Sequence, residues 1–421
     1  MVISAQHHAW AWPAAVVAIC AVLTAVMRVS FDSFAVFLLP LAGDFGWSRA
    51  ETAGIYGIMM LSFGMGAPLA GRLMDGLGPR WTYAAGSAGL AAGFHFTAAA
   101  HSIWEFYLFL GLCVGITGAL VGTVSHATLL ARWFGASLTI AIAIAAAASG
   151  IGVMVFAPLL QWLIDANGWR DTYETLALTV AGIGLAVLVL PWHRLAAPKT
   201  SVEMNDPPAR PQSGPAPRQS GGLPPAPTRA ADAYRQGRFW TLFGIQFLTA
   251  ISMFTINPQI VAFLVEQGFD PLASASAFGL AGLAGTVGLI AFGWLADRRG
   301  RTLAMTLSYG MTIAGFAILI AIMISPTWLL AGLFVAVYGP TFGARGPIVN
   351  ALVPRLFGRG PSLGLILGSV HLGMGSGAAV GATLGGYLHD ISGYGAVIAA
   401  AIAASAAAAM LYLSVPSVRK A

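Results

Sequence analysis

The segments GRLMDGLGPR (71–80) and GWLADRRGR (293–301) share the pattern G-x-L-x-D-x-x-G, which an Arg follows within two residues. The first comes after the second long apolar segment of the chain, and the other comes after the eighth. An aspartate at a helix end, a turn glycine and a nearby arginine can join neighbouring helices through charge-assisted hydrogen bonds. The repetition predicts two equivalent halves; the alternative is a tight turn with solvated charges. The residues that would make these contacts are Asp75, Arg80, Asp297 and Arg301.

The composition is that of a membrane protein. Hydrophobic residues make up 57% of the 421 residues, charged residues make up 9%, and the mean hydropathy is +0.79. Apolar segments of about 20 residues or more recur, each long enough to cross ~30 Å of hydrocarbon as a helix. We therefore predict twelve transmembrane helices. They cover residues 13–40, 52–71, 81–100, 104–131, 136–163, 173–192, 238–265, 273–296, 302–324, 327–352, 361–388 and 393–415.

The basic residues are distributed unevenly among the loops between these spans. Nearly all of the 21 Lys and Arg lie in one alternating set of loops, which defines the basic side of the protein, whereas Arg49 and Arg170 lie in the other set. Loops rich in Lys and Arg stay cytoplasmic. We therefore predict a multi-pass protein of the cell inner (plasma) membrane with both termini cytoplasmic. The net charge of +6 follows from this topology and does not indicate nucleic-acid binding.

Residues 205–227 separate two groups of six spans. They are rich in Pro, Gly, Ser, Gln and Arg, so they cannot bury enough apolar surface to fold. The sequence predicts an N-terminal six-helix half (1–193), a cytoplasmic Pro/Gly-rich linker (194–237) and a C-terminal six-helix half (238–421). No G-x-x-x-x-G-K-[ST] phosphate loop is present. We expect a monomer that is not an enzyme and that binds no cofactor and no metal.

Together, the paired motif, the twelve spans and the long central loop resemble the major facilitator superfamily. The resemblance implies an all-α membrane protein with inverted three-helix repeats, which transports by alternating access. It also implies that spans 1, 4, 7 and 10 line a central cavity, that spans 2, 5, 8 and 11 form the interface between the halves, and that the paired motifs act in gating. A ladder of glycines at every fourth residue of span 11 agrees with a closely packed interface. These are Gly373, Gly377, Gly381 and Gly385.

Arg28 and Arg345 are the basic residues that lie inside predicted spans. Burying a guanidinium in hydrocarbon costs about 3 kcal/mol or more, so such a residue needs a partner or a watery cavity. Asp32 lies four residues after Arg28, on the same face of span 1, and can pair with it. Two interpretations stay open: the pair is structural, or Asp32 takes up a proton and releases Arg28 to bind an anion.

Arg345 lies in the segment YGPTFGARGP (338–347), whose two prolines and three glycines predict a broken helix. A broken helix at membrane depth usually lines a cavity. Arg345 has no acidic neighbour on its own span, so we expect it to bind a carboxylate, which a guanidinium holds with two hydrogen bonds. A salt bridge to Asp32 across the cavity is the alternative.

Further polar residues of the spans complete the predicted site. Asn257 on span 7, His126 on span 4 and Tyr338 on span 10 are expected to contact the substrate. His371 on span 11 is expected to take part in proton coupling with Asp32, since histidine titrates near neutral pH. For both histidines, a buried neutral ring held by hydrogen bonds is the alternative.

Two more segments are similar to the monocarboxylate transporter branch of the superfamily, with its bacterial members and the related oxalate/formate antiporters. They are FGWSRAET (45–52) after span 1 and RWFG (132–135) before span 5. The resemblance implies transport of small organic anions, with a proton or by exchange. The chain departs from the branch in its cations. Span 8 has no Lys or Arg, Asp32 stands where animal members carry a Lys, and His371 is the candidate cation inside span 11.

We therefore predict a secondary active transporter that moves a small, monocarboxylate-like organic anion across the lipid bilayer, by proton-coupled symport or by anion exchange. Arg28 and Arg345 would bind the carboxylate, and Asp32 would couple its movement to protons. The alternative is a proton-driven efflux carrier for an apolar or cationic compound, in which Asp32 is the binding anion and Arg345 is structural.

Overall fold

Helices form most of the described structure. The computed structural model describes residues 2–134, 138–196, 229–358 and 362–419, and these ranges contain no β-strand. Within them, eight helical segments are long and apolar enough to cross a membrane. Most of the predicted linker falls on residues 197–228, which lie outside the described residues. The bounds of the two halves and the linker between them therefore stay predictions.

Among spans 1 to 6, spans 1 and 4 are interrupted, and spans 5 and 6 form one helical segment that breaks at Gly168. Span 1 is interrupted at Ser33, and span 4 contains a π-helical stretch and a break after Leu120. The helices are Val2–Asp32 and Phe34–Phe45 (span 1), Arg49–Gly76 (span 2), Gly78–Ala98 (span 3), Ile103–Phe106, Tyr107–Val114, Gly115–Leu120 and Thr123–Ala131 (span 4), Leu138–Val189 (spans 5 and 6) and the short Trp192–Leu195.

The same pattern recurs in spans 7 to 12, where spans 7 and 10 are interrupted and spans 11 and 12 are joined at Gly393. The interrupted spans are thus those that the superfamily resemblance places around the cavity, and the predicted break of span 10 is confirmed. The helices are Ala230–Tyr234, Gly237–Phe254, Asn257–Gln259 and Ile260–Glu266 (span 7), Pro271–Arg299 (span 8), Arg301–Ile324 (span 9), Trp328–Tyr338, Gly339–Thr341 and Arg345–Phe357 (span 10), Leu363–Ser414 (spans 11 and 12) and the short Pro416–Arg419.

Four of the turns between spans share one geometry. Spans 2, 5, 8 and 11 each end in Asp-x-x-Gly, and in each case the glycine has a positive φ, between 70° and 95°. Glycine adopts this conformation without the steric cost that other residues meet. The full motif occurs twice in the chain, but its Asp-x-x-Gly turn occurs four times, once in each three-helix repeat. The four glycines are Gly78, Gly168, Gly300 and Gly393.

Spans of opposite halves approach closely at glycine positions. A methyl group at Gly57 of span 2 would lie 2.9 Å from the carbonyl oxygen of Ala379 of span 11. One at Gly279 of span 8 would lie 3.0 Å from the carbonyl oxygen of Val153 of span 5. These contacts put spans 2, 5, 8 and 11 at the interface between the halves, as the superfamily resemblance implies.

The glycine ladder of span 11 packs on a different partner from the one expected. A methyl group at Gly373 would lie 2.8 Å from the carbonyl oxygen of Phe243. One at Gly381 would lie 2.8 Å from the carbonyl oxygen of Ile251. Both carbonyls belong to span 7 of the same half. The interpretation of the ladder as part of the interface between the halves is therefore wrong, because another face of span 11 meets span 2.

The halves are joined by polar contacts on the side opposite the basic loops. The Asp390 carboxylate, at the end of span 11, accepts hydrogen bonds from the backbone N–H groups of Arg49 (3.0 Å) and Ala50 (2.9 Å) in the first turn of span 2. The Arg49 guanidinium also pairs with Glu266 at the end of span 7. Gly386 lies so close to the Arg49 backbone that no larger residue fits. The structure is therefore closed on this side.

These contacts predict that Asp390→Ala opens this side more often. A carboxylate that caps a helix N-terminus contributes about 1 kcal/mol, so its loss raises the open population about fivefold. The measurement starts from a background in which Cys20 and Cys113 are replaced by alanine. There, Ala53→Cys puts a thiol at a fully buried position one turn below the contact. Its rate of modification by a maleimide added from that side reports the opening.

Asp165→Ala is the matched control for this experiment. Asp165 belongs to the equivalent turn after span 5, but its side chain accepts a hydrogen bond from Gln161 of its own helix (2.8 Å). The control should be modified at the rate of the parent protein. Equal rates for Asp390→Ala and the parent would contradict a role of Asp390 in closing this side.

Candidate functional site

A cavity of about 60 Å³ lies between the two halves, next to the interruptions of spans 1, 7 and 10. A volume of this size holds a few water molecules. Its lining comprises Arg28, Asp32, Ala35 and Tyr56 from the first half and Met253, Phe254, Asn257, Pro258, Phe278, Phe342 and Met374 from the second. The wall is therefore mostly apolar and aromatic, and one ion pair, one amide and one tyrosine supply its polar side chains.

Arg28 and Asp32 form an ion pair on the wall of this cavity. The Nη2 atom of Arg28 lies 2.6 Å from the Asp32 carboxylate, one helical turn away. The Arg28 side chain is 32% exposed, whereas that of Asp32 is 9% exposed. Asp32 is thus the buried partner, beside the interruption of span 1, and Arg28 is the partner that a solute in the cavity can reach.

Arg345 is enclosed within the second half and does not line the cavity. Its Nε atom donates a hydrogen bond to Ser308 Oγ (3.2 Å), and its Nη2 atom donates to the Thr312 hydroxyl. The guanidinium carbon lies 4.4 Å from the centre of the Tyr309 ring, and all three partners belong to span 9. The alternative salt bridge to Asp32 is not formed, because Asp32 pairs with Arg28. The carboxylate contact of Arg345 stays a prediction.

Asn257 lies at the cavity wall, and Tyr338 lies behind it, farther from the cavity. The Tyr338 hydroxyl donates a hydrogen bond of 2.7 Å to Oδ1 of Asn257. Asn257 begins the 3₁₀ turn of span 7 and lines the cavity. Tyr338 is 1% exposed and is not part of the lining. Asn257 can therefore contact a substrate from this position, whereas Tyr338 acts on the cavity through Asn257.

The two predicted histidines lie away from the cavity. His126 is 4% exposed, and its Nδ1 atom lies 3.1 Å from the hydroxyl of Tyr83 on span 3. This environment agrees with the alternative interpretation of His126, a buried ring held by hydrogen bonds. His371 is exposed on span 11 and is not part of the lining. Their roles in substrate contact and proton coupling stay predictions, and neither residue lines the cavity in this conformation.

The predicted gating motifs lie on the basic side, and three of their four named residues are exposed. Asp75 forms no ion pair or side-chain hydrogen bond within the described ranges, and the Arg80 guanidinium lies 5.2 Å from the centre of the Trp81 ring. Asp297 is exposed as well, whereas Arg301 is half-buried and interacts with its surroundings. Within the part of the chain that the structure describes, the helix-joining contact expected at Asp75 is not formed, and the gating role of the four residues stays a prediction.

Sequence reasoning missed the residues that close the opposite side. Asp390 belongs to the Asp-x-x-Gly turn after span 11, which has the spacing of the two motifs but not their arginine. Comparing the equivalent loop of all four repeats, rather than of the two halves, would have singled it out. Its partner Arg49 stood out only as one of two basic residues in the sparsely charged loops.

Interrupted helices around a buried cavity that holds an ion pair, between two packed sets of spans, define a membrane transporter. Residues 17–362 match the profile of the Major Facilitator Superfamily. The chain belongs to this superfamily. The predicted all-α fold with twelve spans is confirmed.

Known relatives support the predicted branch. Monocarboxylate transporter 13 of Bos taurus is 29% identical over 362 residues, which cover 86% of this chain and 79% of the relative. Monocarboxylate transporter 11 of Homo sapiens is 27% identical over 368 residues, which cover 84% and 72%. The resemblance to monocarboxylate transporters is thus confirmed, and the chain is a transporter rather than an enzyme.

Solved structures agree on the fold. A bacterial homologue of the human lysosomal transporter Spinster, in an inward-facing and occupied conformation, has a TM-score of 0.69 at 13% identity, over 96% of both chains. A D-xylose–proton symporter has a TM-score of 0.68 at 14% identity, over 96% of this chain and 98% of the other. At this level of identity the likeness concerns the fold alone.

The contacts of Arg345 predict that Arg345→Lys lowers the stability of the protein. An ammonium group keeps the charge but cannot donate to Ser308 and Thr312 in the same fork or stack on Tyr309. Leaving these interactions incomplete in a buried site costs about 1–3 kcal/mol, so the midpoint of thermal unfolding in detergent should fall. Arg298→Lys is the control, because that arginine is exposed and lies over the ring of Trp294. Equal midpoints for the two variants would contradict the prediction.

Proposed function

We propose that this protein is a secondary active transporter for a small, monocarboxylate-like organic anion and that it works by alternating access. The observation that carries the proposal is the Arg28–Asp32 ion pair on the wall of the cavity between the halves. A reachable guanidinium is a binding group for a carboxylate, which it holds by charge-assisted hydrogen bonds. The names of the known relatives support the same substrate class.

The charges in the spans favour an anion over a cation. Away from the span ends, the charged residues of the predicted spans are Arg28, Asp32 and Arg345. The first two balance each other, so Arg345 leaves the interior with one excess positive charge, which a guanidinium cannot lose. An anion is attracted to such an interior and a cation is repelled. The efflux of a cationic compound, with Asp32 as its binding anion, is therefore the less favoured alternative.

Asp32 supplies a route for proton coupling. While Asp32 is ionised, it occupies the guanidinium of Arg28, and a carboxylate would have to compete with it. When Asp32 takes up a proton, Arg28 becomes available and the excess charge attracts one anion. One proton and one monocarboxylate would then cross together without moving net charge. The same site could exchange one anion for another while Asp32 stays protonated.

The membrane and orientation belong to the same proposal. The uneven distribution of Lys and Arg supports the cell inner (plasma) membrane with both termini cytoplasmic. On that orientation, the side closed by Asp390 is the external side, and the cavity would exchange substrate with the cytoplasm through the basic side.

Uptake into proteoliposomes tests the function directly. The purified protein is supplied with labelled acetate, lactate, pyruvate and benzoate, with and without an inward proton gradient. We expect uptake of at least one monocarboxylate and faster uptake with the gradient. Uptake of a labelled apolar cation in place of all four anions would favour the efflux alternative and contradict the proposal.

The exposed half of the ion pair predicts the effect of Arg28→Ala. Without the guanidinium, the cavity loses its reachable cation and Asp32 loses its partner. Carboxylate uptake should fall about tenfold or more, as expected when a charge-assisted hydrogen bond is lost. Arg298→Ala, at an exposed arginine of the basic side, should transport normally. Normal uptake by Arg28→Ala would contradict this site.

The buried half of the pair predicts a change in pH dependence for Asp32→Asn. The amide resembles the protonated acid, so Arg28 stays available at every pH. Uptake by the wild type should rise as the pH falls, whereas the variant should lose this dependence and keep anion-for-anion exchange. An unchanged pH profile in Asp32→Asn would remove the coupling role from Asp32.

A further inference from the structure

Asn257 is the polar side chain that the second half contributes to the cavity wall. It begins the 3₁₀ turn that interrupts span 7, and Pro258 follows it. It is 6% exposed, and the small exposed part belongs to the cavity lining. Arg28 belongs to the first half, so the two side chains approach the cavity from opposite halves.

The hydrogen bond from Tyr338 decides which end of the Asn257 amide faces the cavity. The hydroxyl of Tyr338 is fully buried, and Asn257 is its one hydrogen-bond partner within the described ranges. A buried hydroxyl needs an acceptor for its proton, and of the two amide atoms only Oδ1 can accept. Oδ1 therefore points to Tyr338, at 2.7 Å, and the Nδ2 amino group is left with its hydrogens.

The amino group is the end of the Asn257 amide that remains for the cavity, because Asn257 lines the cavity and its Oδ1 atom is held by Tyr338. Within the described part of the chain, the Nδ2 atom has no hydrogen-bond partner, and it is not among the fully buried polar atoms. It thus offers N–H donors to whatever occupies the cavity. A carboxylate accepts such donors, whereas a group with its own N–H or O–H at that position does not match them.

Tyr338 itself is held firmly in place. Its ring is stacked on Phe334, with the ring centres 5.0 Å apart and an angle of 17° between the rings. It also packs against Phe316 at 5.1 Å and Phe342 at 5.2 Å. A ring packed on several sides keeps its hydroxyl at one point, so the amide it binds keeps one orientation.

We infer that Asn257 is the anion donor of the second half, opposite Arg28, and that Tyr338 is a positioning residue that fixes its amide orientation. The inference rests on the proposed transport of a carboxylate. Arg28 supplies the charge, and Asn257 supplies directional donors that distinguish a carboxylate from its neutral amide. A carboxylate bound by both residues also links the two halves, so substrate binding favours the conformation in which the halves are close.

Tyr338→Phe tests the positioning role, because it keeps the ring packing and removes the hydroxyl. The amide of Asn257 can then rotate and present Oδ1 to the substrate. We expect the KM for the transported monocarboxylate to rise about tenfold, the range of one charge-assisted hydrogen bond, with little change in the maximal rate. Inhibition by the matching primary amide, such as lactamide against lactate, should become relatively stronger.

A double-mutant cycle separates this role from a general structural one. Asn257→Ala should raise KM by a similar factor, and adding Tyr338→Phe to it should have no further effect, because the amide to be oriented is gone. A structural role of the hydroxyl would persist in the Asn257→Ala background. Tyr234→Phe is the control, since its hydroxyl bonds Ser369 (2.8 Å) outside the cavity, and it should keep the wild-type KM.

The possible results are distinct. An unchanged KM in Tyr338→Phe, or an equal KM change with and without Asn257, would overturn the inference while leaving carboxylate transport intact. Failure of the wild type to transport or bind any carboxylate would overturn the proposed function and the inference with it. Thermal unfolding of each variant shows whether a loss of uptake reflects a loss of fold. The KM values of the double-mutant cycle are then compared only among variants whose unfolding midpoints are unchanged.

Discussion

Hydrocarbon offers no hydrogen bonds, so every backbone group that a helix break frees inside a membrane needs a partner in the protein. The interrupted spans meet this constraint with short turns, such as the 2.9 Å bond from the backbone N–H of Gln259 to the carbonyl of Ile256. The breaks of spans 1, 7 and 10 adjoin the internal cavity and packed helices. The placement of the polar side chains follows, because Asp32 and Asn257 both lie beside a break that only the protein interior tolerates.

The same constraint gives the two arginines of the spans different environments. Arg28 keeps an acidic partner, lines the cavity and has about a third of its side chain exposed. Arg345 has hydroxyls and an aromatic ring of span 9 around it, and no carboxylate within the described residues reaches its guanidinium. One arginine is suited to exchanging partners, whereas the other contributes a fixed charge behind the wall. Sequence alone had given both the same role.

Much of the fold could be predicted because it depends on local patterns. Apolar length marks the spans, the distribution of basic residues marks the sides, and the prolines and glycines of 338–347 mark the break in span 10. The partners across space could not be predicted in this way. Spacing shows that the glycines of span 11 share one face, but not that this face meets span 7. Likewise, no pattern near Asn257 shows that a tyrosine from span 10 orients its amide.

The contact between Asp390 and the first turn of span 2 should be sensitive to the salt concentration of the solution around the protein. It joins a carboxylate to a helix end at the surface, where dissolved ions screen such interactions within about 10 Å at 0.1 M salt. The Arg28–Asp32 pair lies deeper and is screened less. The lifetime of the closed state on this side should therefore depend more strongly on ionic strength than the cavity chemistry does. Salt concentration becomes a means to vary the opening of this side more than the binding of substrate in one unmodified protein.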